Sequence, residues 1–318
     1  MLPAPIAMHI PDGFLSVPVS IFFWLIMILV VGYALKRVGV DLGERQVPLM
    51  GVLAAAIFAG QMLNFAVAGG TSGHLIGAAI ATILLGPWAA MLVLTCVVSI
   101  QALIFQDGGL LVLGANIFNM AIIAVTVSYM VYRSVQKLAK GQPWGIFVGG
   151  FIAAWLSVEA AALATALELA LSGTSPANIA IAAMGGIHAL IGIGEGLITV
   201  GALAFLYATR RDLLKAGEAA PARGNLVWLT GLVLALLLAI ASPLASSHPD
   251  GLEWVAEQKG FLVSAQSPLF KIIPDYLFPG VSNSTLATIL AGILGVLIVF
   301  VVALVVATMR RRKTTLEE

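Results

Sequence analysis

Met8 and His9 stand side by side near the beginning of the sequence, and His74, His188 and His248 complete a set of four histidines. A Met-His pair has a particular chemistry when its methionine is the first residue. The free amine, the His9 amide nitrogen and the His9 imidazole then close two fused chelate rings on one ion, with three nitrogens nearly in a plane. A fourth in-plane nitrogen completes the tetragonal geometry that nitrogen donors offer to Ni(II) or Cu(II), and His74 is placed to supply it. The amide must lose its proton, so such a site releases protons on binding and weakens in acid. Met1 to Ala7 precede Met8, and if those seven residues are retained its nitrogen is a peptide amide and a strong donor is lost. The expectation is a chain that starts at Met8. Taken singly, each histidine is as readily a polar residue satisfied at a helix end. It is their common side of the membrane, argued below, that raises the metal reading.

Other polar groups lie close to this pattern. Gly69-Gly70-Thr71-Ser72-Gly73 leads into His74 with small residues that let backbone approach closely. An ordinary loop and helix cap is the even alternative. Gln106-Asp107-Gly108-Gly109, followed by Gly114-Ala115-Asn116 and Asn119, forms a polar external loop that is either support around the His74 site or a turn. Glu159, Glu168 and Glu195 fall in apolar runs, where an ionised side chain is expensive unless paired. Glu168 reads as a helix-to-helix hydrogen bond. Glu195, framed by Gly192, Gly194 and Gly196 and seven residues after His188, divides evenly between gating and packing. The single cysteine, Cys96, excludes an intramolecular disulfide and any multi-cysteine metal site.

The elements that must position these residues are membrane helices. The 318 residues are 60% apolar and only 10% charged, with a mean hydropathy of +1.05, far from soluble composition. Apolar runs lie at about 17–35, 47–68, 74–105, 111–132, 144–171, 178–209, 226–245 and 284–308, and a span needs about 20 such residues. The first is followed at once by Lys36 and Arg37, lacks a basic leading flank, and reads as a retained span rather than a signal peptide. The 74–105 run is long for one helix and is interrupted by Gly86-Pro87. Counting it as two short helices, with the N-terminus outside, places 14 of the 16 basic residues in the cytoplasm; counting it as one breaks the positive-inside pattern. The expected fold is therefore an all-α membrane protein of about nine transmembrane helices, N-terminus out and C-terminus cytoplasmic. His9, His74, His188 and His248 all fall towards the outer face.

The chain divides into a seven-helix unit at 8–215, a linker at 216–225 rich in Gly, Ala and Pro, and a two-helix unit at 226–309 with an external module at 246–283. A basic cytoplasmic tail follows at 310–318. Ala54, Ala55, Ala56, Ala59 and Gly60 mark a close-packing face on the second helix that could meet another subunit. No repeat or sustained heptad is present. A net charge of +1 without a basic-aromatic surface argues against nucleic acid.

Four stretches resemble the CbiM/NikM family, the substrate-binding S components of energy-coupling-factor transporters for cobalt and nickel: MHIPDGFLS (Met8 to Ser16), GTSGHL (Gly70 to Leu75), FQDGGLLVLGANIFNM (Phe105 to Met120) and HALIGIGEGLIT (His188 to Thr199). PDGLEWVAEQKGF (Pro249 to Phe261) is similar to the small PDGLE/CbiN-type partner, here fused as in NikMN-type chains. The resemblance implies a metal held by the N-terminal amine, by the amide nitrogen and imidazole of His9, and by the imidazole of His74. Asn116, Asn119, His188 and Glu195 are candidates for supporting or gating that site. It also implies a multi-pass protein of the cell inner membrane that imports Ni(II), or alternatively Co(II), as cargo and holds no prosthetic group. Its partners would be a transmembrane coupling (T) subunit and ATPase (A) subunits.

The chain is not expected to be an enzyme. It lacks a Walker A glycine-lysine loop, and an intramembrane metalloenzyme would need three side-chain ligands, an open position and a base. An ATPase-independent channel or secondary transporter is the remaining rival, but the inverted repeat common in such transporters is not evident.

Overall fold

The computed structural model describes residues 8–41, 46–214 and 224–317. The apolar runs form helices, and those facing outward carry the surface that lipid requires. On α1 (Val17–Asp41), Ile21, Phe22, Leu25, Ile28 and Leu29 are each more than half exposed, an arrangement that suits hydrocarbon and not water. Among the described residues six helical segments are long and apolar enough to cross a membrane unaided: 17–38, 87–105, 113–139, 144–171, 177–209 and 284–310. Two more apolar helices, α2 (Gln46–Gln61) and α9 (Gly224–Ala241), are shorter. With eight residues, α3 (Ala78–Leu85) rises only about 12 Å.

Breaks in the backbone fall where the sequence places them. Between α3 and α4 (Pro87–Ile100), Gly86 adopts φ 78°, ψ 170°, a conformation closed to residues with a side chain, and Pro87 opens the next helix, where its missing N–H costs nothing. Helix α4 runs on as a π-helical turn, Gln101–Phe105. A second π turn, Phe118–Ile123, joins α5 (Leu113–Ile117) to α6 (Ala124–Ala139). These widened turns flank the polar loop 106–112. The long hairpin of α7 (Trp144–Leu171) and α8 (Ala177–Thr209) completes the first unit.

In the second unit, α9 and α11 (Ser284–Glu317) enclose a module whose one regular helix is α10 (Gly251–Lys259). Asp250 caps α10, accepting the Glu253 amide at 2.9 Å, as an acidic N-cap does. The small-residue face of α2 is covered from within the chain. Ala54, Ala55 and Ala59 are fully buried, and α9 and α11 press so closely on this helix that a Cβ on Gly295 would stand 2.2 Å from Phe58 and one on Gly231 2.4 Å from Val52.

The structure departs from the all-helical expectation in three places. A two-stranded antiparallel hairpin, β1 (Phe65–Val67) and β2 (Thr71–Gly73), precedes α3. His74, expected to open the third helix, lies instead in the non-helical stretch between β2 and α3, because the four-glycine segment 69–77 favours turns over helix. The basic segment expected as a tail continues α11 as far as Glu317. The linker expected at 216–225 lies outside the described residues except for Gly224 and Asn225, as do Met1 to Ala7.

Backbone that is not helical inside a membrane protein must find other partners, and Glu195 provides them for the stretch after His74. Fully buried on α8, it accepts the Ile76 amide at 2.6 Å and the Gly77 amide at 2.8 Å, one on each carboxylate oxygen. Glu195→Ala orphans both amides, at about 1–3 kcal/mol each. The expected result is a lower thermal unfolding midpoint of the detergent-purified chain. Glu195→Gln keeps one acceptor and should lose about half as much.

Candidate metal centre

The segment carrying His9 is held by loop 106–112 and the start of α5. Asn116 grips Ile10 from both sides, its Oδ1 accepting the Ile10 amide and its Nδ2 donating to the Ile10 carbonyl, each at 3.0 Å, while the Gly109 amide donates to the same carbonyl at 2.9 Å. The buried Asp12 carboxylate accepts the amides of Leu110, Leu111 and Val112 at 3.1, 2.8 and 3.3 Å, at the positive end of α5. Only glycine permits this approach: a Cβ on Gly109 would lie 2.1 Å from the Asp12 carboxylate, and one on Gly108 (φ +94°) 2.9 Å from the His9 Cβ.

The clamp sets His9 against Asp107. One carboxylate oxygen, Asp107 Oδ1, stands 2.9 Å from His9 Nδ1 and accepts the His9 amide at 3.3 Å. These are the two His9 nitrogens that a fused chelate uses, and here they converge on a single point. The other oxygen, Asp107 Oδ2, accepts the Tyr276 hydroxyl at 2.6 Å, and the Tyr276 ring stacks on Phe105. The His74 ring lies edge-on to the His9 ring with centroids 5.5 Å apart. With metal–imidazole bonds near 2 Å, two rings sharing an ion sit roughly 4.5–6.5 Å apart. His74 Nδ1 faces Asp250 Oδ2 at 3.6 Å. His188 Nδ1 is 2.8 Å from the Met184 carbonyl, which fixes that nitrogen as the donor and leaves Nε2 with a free lone pair. Met8, His9, His74, His188 and Asp250 line one cavity of about 70 Å³, the volume of about two water molecules.

The residues singled out from sequence thus separate. Met8, His9, His74 and His188 come together, and Asn116 braces them. Asn119 is turned towards α7, donating to Glu168 at 2.9 Å and Thr165 at 3.1 Å, so Glu168 makes the interhelical hydrogen bond read for it. Glu195 holds backbone beside the site. His248 is exposed and contributes its carbonyl, which accepts the Ser72 hydroxyl at 2.8 Å. Asp107 lies in the loop read as either support or a turn, and the structure makes it support; Asp12, Asp250 and Tyr276 are site residues that sequence reasoning missed. Among the described residues no group of three His, Cys, Asp or Glu side chains is arranged to hold an ion.

Electrostatics poises the two rings differently. Burial opposes a charge on His9, but the Asp107 carboxylate outweighs it and raises the His9 pKa above 6.5 while lowering that of Asp107. His74, buried and beside His9, is pushed down to about 3 and is neutral at physiological pH. Burial pushes Asp250 up to about 8 in the metal-free chain, a penalty that a neighbouring dication would reverse.

Two outcomes follow. Gly109→Ala should release the His9 segment and weaken metal binding by at least about tenfold, as loss of a supporting shell does, measured by titration of the purified chain. Raised folded pKa values contribute stability present at low pH and lost as pH rises. For His9 the loss begins near 6.5 and runs through its higher folded value, and for Asp250 it runs from 3.8 to about 8. The metal-free unfolding midpoint should therefore fall between pH 6.5 and 8, while metal affinity, which requires deprotonated His9, should rise across the same window. Asp107→Asn should shift the affinity curve to lower pH.

The family described as the cobalt uptake substrate-specific transmembrane region matches residues 9–213, and the PDGLE domain matches residues 225–312. A putative fused nickel transport protein NikMN of Archaeoglobus fulgidus is 37% identical over 296 residues, covering 92% of this chain and 95% of the relative. A fused nickel transport protein NikMN of Rhodobacter capsulatus is 31% identical, with the same coverages of 92% and 95%. The crystal structure of a truncated transition metal transporter superposes with a TM-score of 0.57 at 38% identity, covering 63% of this chain and 98% of that one. This chain, a multi-pass membrane protein, belongs to the CbiM family and carries a fused C-terminal PDGLE domain.

Proposed function

We propose that the protein is the substrate-binding membrane component of an energy-coupling-factor importer in the cell inner membrane, with Ni(II) as its cargo. The observation that carries this reading is the convergence of the His9 amide and Nδ1 on one point, with the neutral His74 ring 5.5 Å from the His9 ring. On a chain beginning at Met8, the Met8 amine, the His9 amide nitrogen and imidazole, and the His74 imidazole form the four-nitrogen plane. The ion takes the position now held by Asp107 Oδ1, and the carboxylate withdraws while the Tyr276 hydroxyl keeps its other oxygen. Three protons leave to solvent: one from the Met8 ammonium, one from the His9 amide, and the one that His9 Nδ1 shares with Asp107. Nickel is favoured over cobalt because the fused relatives are named for nickel transport, whereas the family description names cobalt.

The membrane arrangement that serves this function has nine crossings, with His9, His74 and the 246–283 module facing outward and the C-terminus in the cytoplasm. Capture is then from outside and release inward, powered by ATPase subunits through a transmembrane coupling subunit.

Three measurements test the reading. Titrated with Ni(II), His9→Ala and His74→Ala should each lose more than about 100-fold in affinity, beyond what loss of a supporting residue produces. A chain that retains Met1 to Ala7 should bind like those variants, and tight binding by either variant would sink the site. Cellular Ni(II) uptake should vanish without the ATPase subunits; uptake that persists supports a channel or secondary transporter instead. A reporter fused after Glu317 should be active only on the cytoplasmic side.

A further inference from the structure

Besides Tyr276 on Asp107, the second unit reaches the proposed metal centre through the turn His248-Pro249-Asp250-Gly251. This turn is joined to the strand that leads into His74. The Ser72 amide donates to the Pro249 carbonyl at 2.8 Å, the Thr71 hydroxyl donates to the same carbonyl at 3.0 Å, and Ser72 and Asp250 form a parallel β-bridge. Two residues further on, the His74 ring directs Nδ1 at Asp250 Oδ2, 3.6 Å away, with both side chains largely buried. Asp250 itself is held, since its other oxygen caps α10 on the Glu253 amide. Gly251 completes the fit; a Cβ there would lie 2.7 Å from Ile191 and 3.0 Å from His188 Nε2.

We infer that Asp250 is a positioning residue for the cargo ion: its carboxylate takes the Nδ1–H of His74, fixing the ring so that Nε2 carries the lone pair presented to the metal. Metal-bound imidazoles are commonly backed by such a carboxylate, which sets the tautomer and strengthens the donor. The present 3.6 Å separation is just outside hydrogen-bonding range, and it closes when an ion draws electron density from the ring and makes the Nδ1–H a stronger donor. In this way Pro249, Asp250 and Gly251 each act at the metal centre, and the C-terminal unit supplies a working part of the site held by the first unit.

The inference rests on the metal site proposed above, and two substitutions separate it from a capping role. Serine caps a helix about as well as aspartate but is too short to reach His74. Asparagine keeps the cap through its one oxygen but turns its NH2 towards His74, so it removes the charge and the acceptor together. Titrated with Ni(II) alone in the full chain starting at Met8, Asp250→Ser and Asp250→Asn should each bind about 10–100-fold more weakly. At full loading the Ni(II) ligand-field absorption of both should move to lower energy, because His74 has become a weaker donor. A purely structural role would leave that band unmoved. Affinity within about twofold of the parent for Asp250→Ser, or an unmoved band in loaded Asp250→Asn, overturns the inference. If His74→Ala still binds Ni(II), the metal site itself falls; if His74→Ala loses binding and Asp250→Ser does not, only the role of Asp250 falls.

Discussion

The buried pair of His9 and Asp107 organises the end of the molecule where the metal centre lies. A buried carboxylate survives only with a partner and with its remaining lone pairs satisfied, and for Asp107 the surrounding architecture supplies both. The Tyr276 hydroxyl occupies the second Asp107 oxygen. The Asn116 grip on Ile10 prevents the backbone from sliding. Gly108 and Gly109 let the loop come within van der Waals distance of the segment it holds. The pair also fixes the chemistry, because the atoms it brings together are those a planar nitrogen chelate would use. The same geometry that stabilises the metal-free chain marks the point where an ion would displace a carboxylate.

Around this pair the helices act as scaffold. An eight-residue half-helix, a short hairpin and two π turns interrupt the bundle around the site, where regular helix gives way to backbone that needs specific partners. Glu195 partners the stretch after His74, Asp12 the start of α5, and the turn at Pro249 the second strand. Four acidic residues, Asp12, Asp107, Glu195 and Asp250, are thus placed in this region by backbone amides or a histidine, and catalysis need not be invoked for any of them.

Much of this was legible in the sequence, for identifiable reasons. Spans are written in composition because lipid imposes it along twenty residues at a time, and the break at Gly86-Pro87 is written in two residues that no helix interior accepts. Residues joined by long-range contact were not readable. Nothing local in Tyr276 says that it meets Asp107, 169 positions away, and nothing in the alanines of α2 says whether another subunit or α11 will cover them. His74 was drawn into a helix because hydropathy does not register the turn-forming glycines on either side of it. Glu195 could be recognised as significant, since an acid in a span must have a reason, but its partners are backbone amides, which sequence patterns do not reveal.

The threading of the His9 segment has a consequence for how the molecule is assembled. This stretch leaves the ribosome early, yet its clamps lie at Asp107 and Asn116, and the Gln266 amide closes over the Asp12 carbonyl at 2.8 Å. None of those partners exists while the first spans are being inserted. The segment can be clamped only once residues 107 to 116 have been made, and it is enclosed only when the module of the second unit folds over it. The first part of the site to be made is therefore the last to be covered.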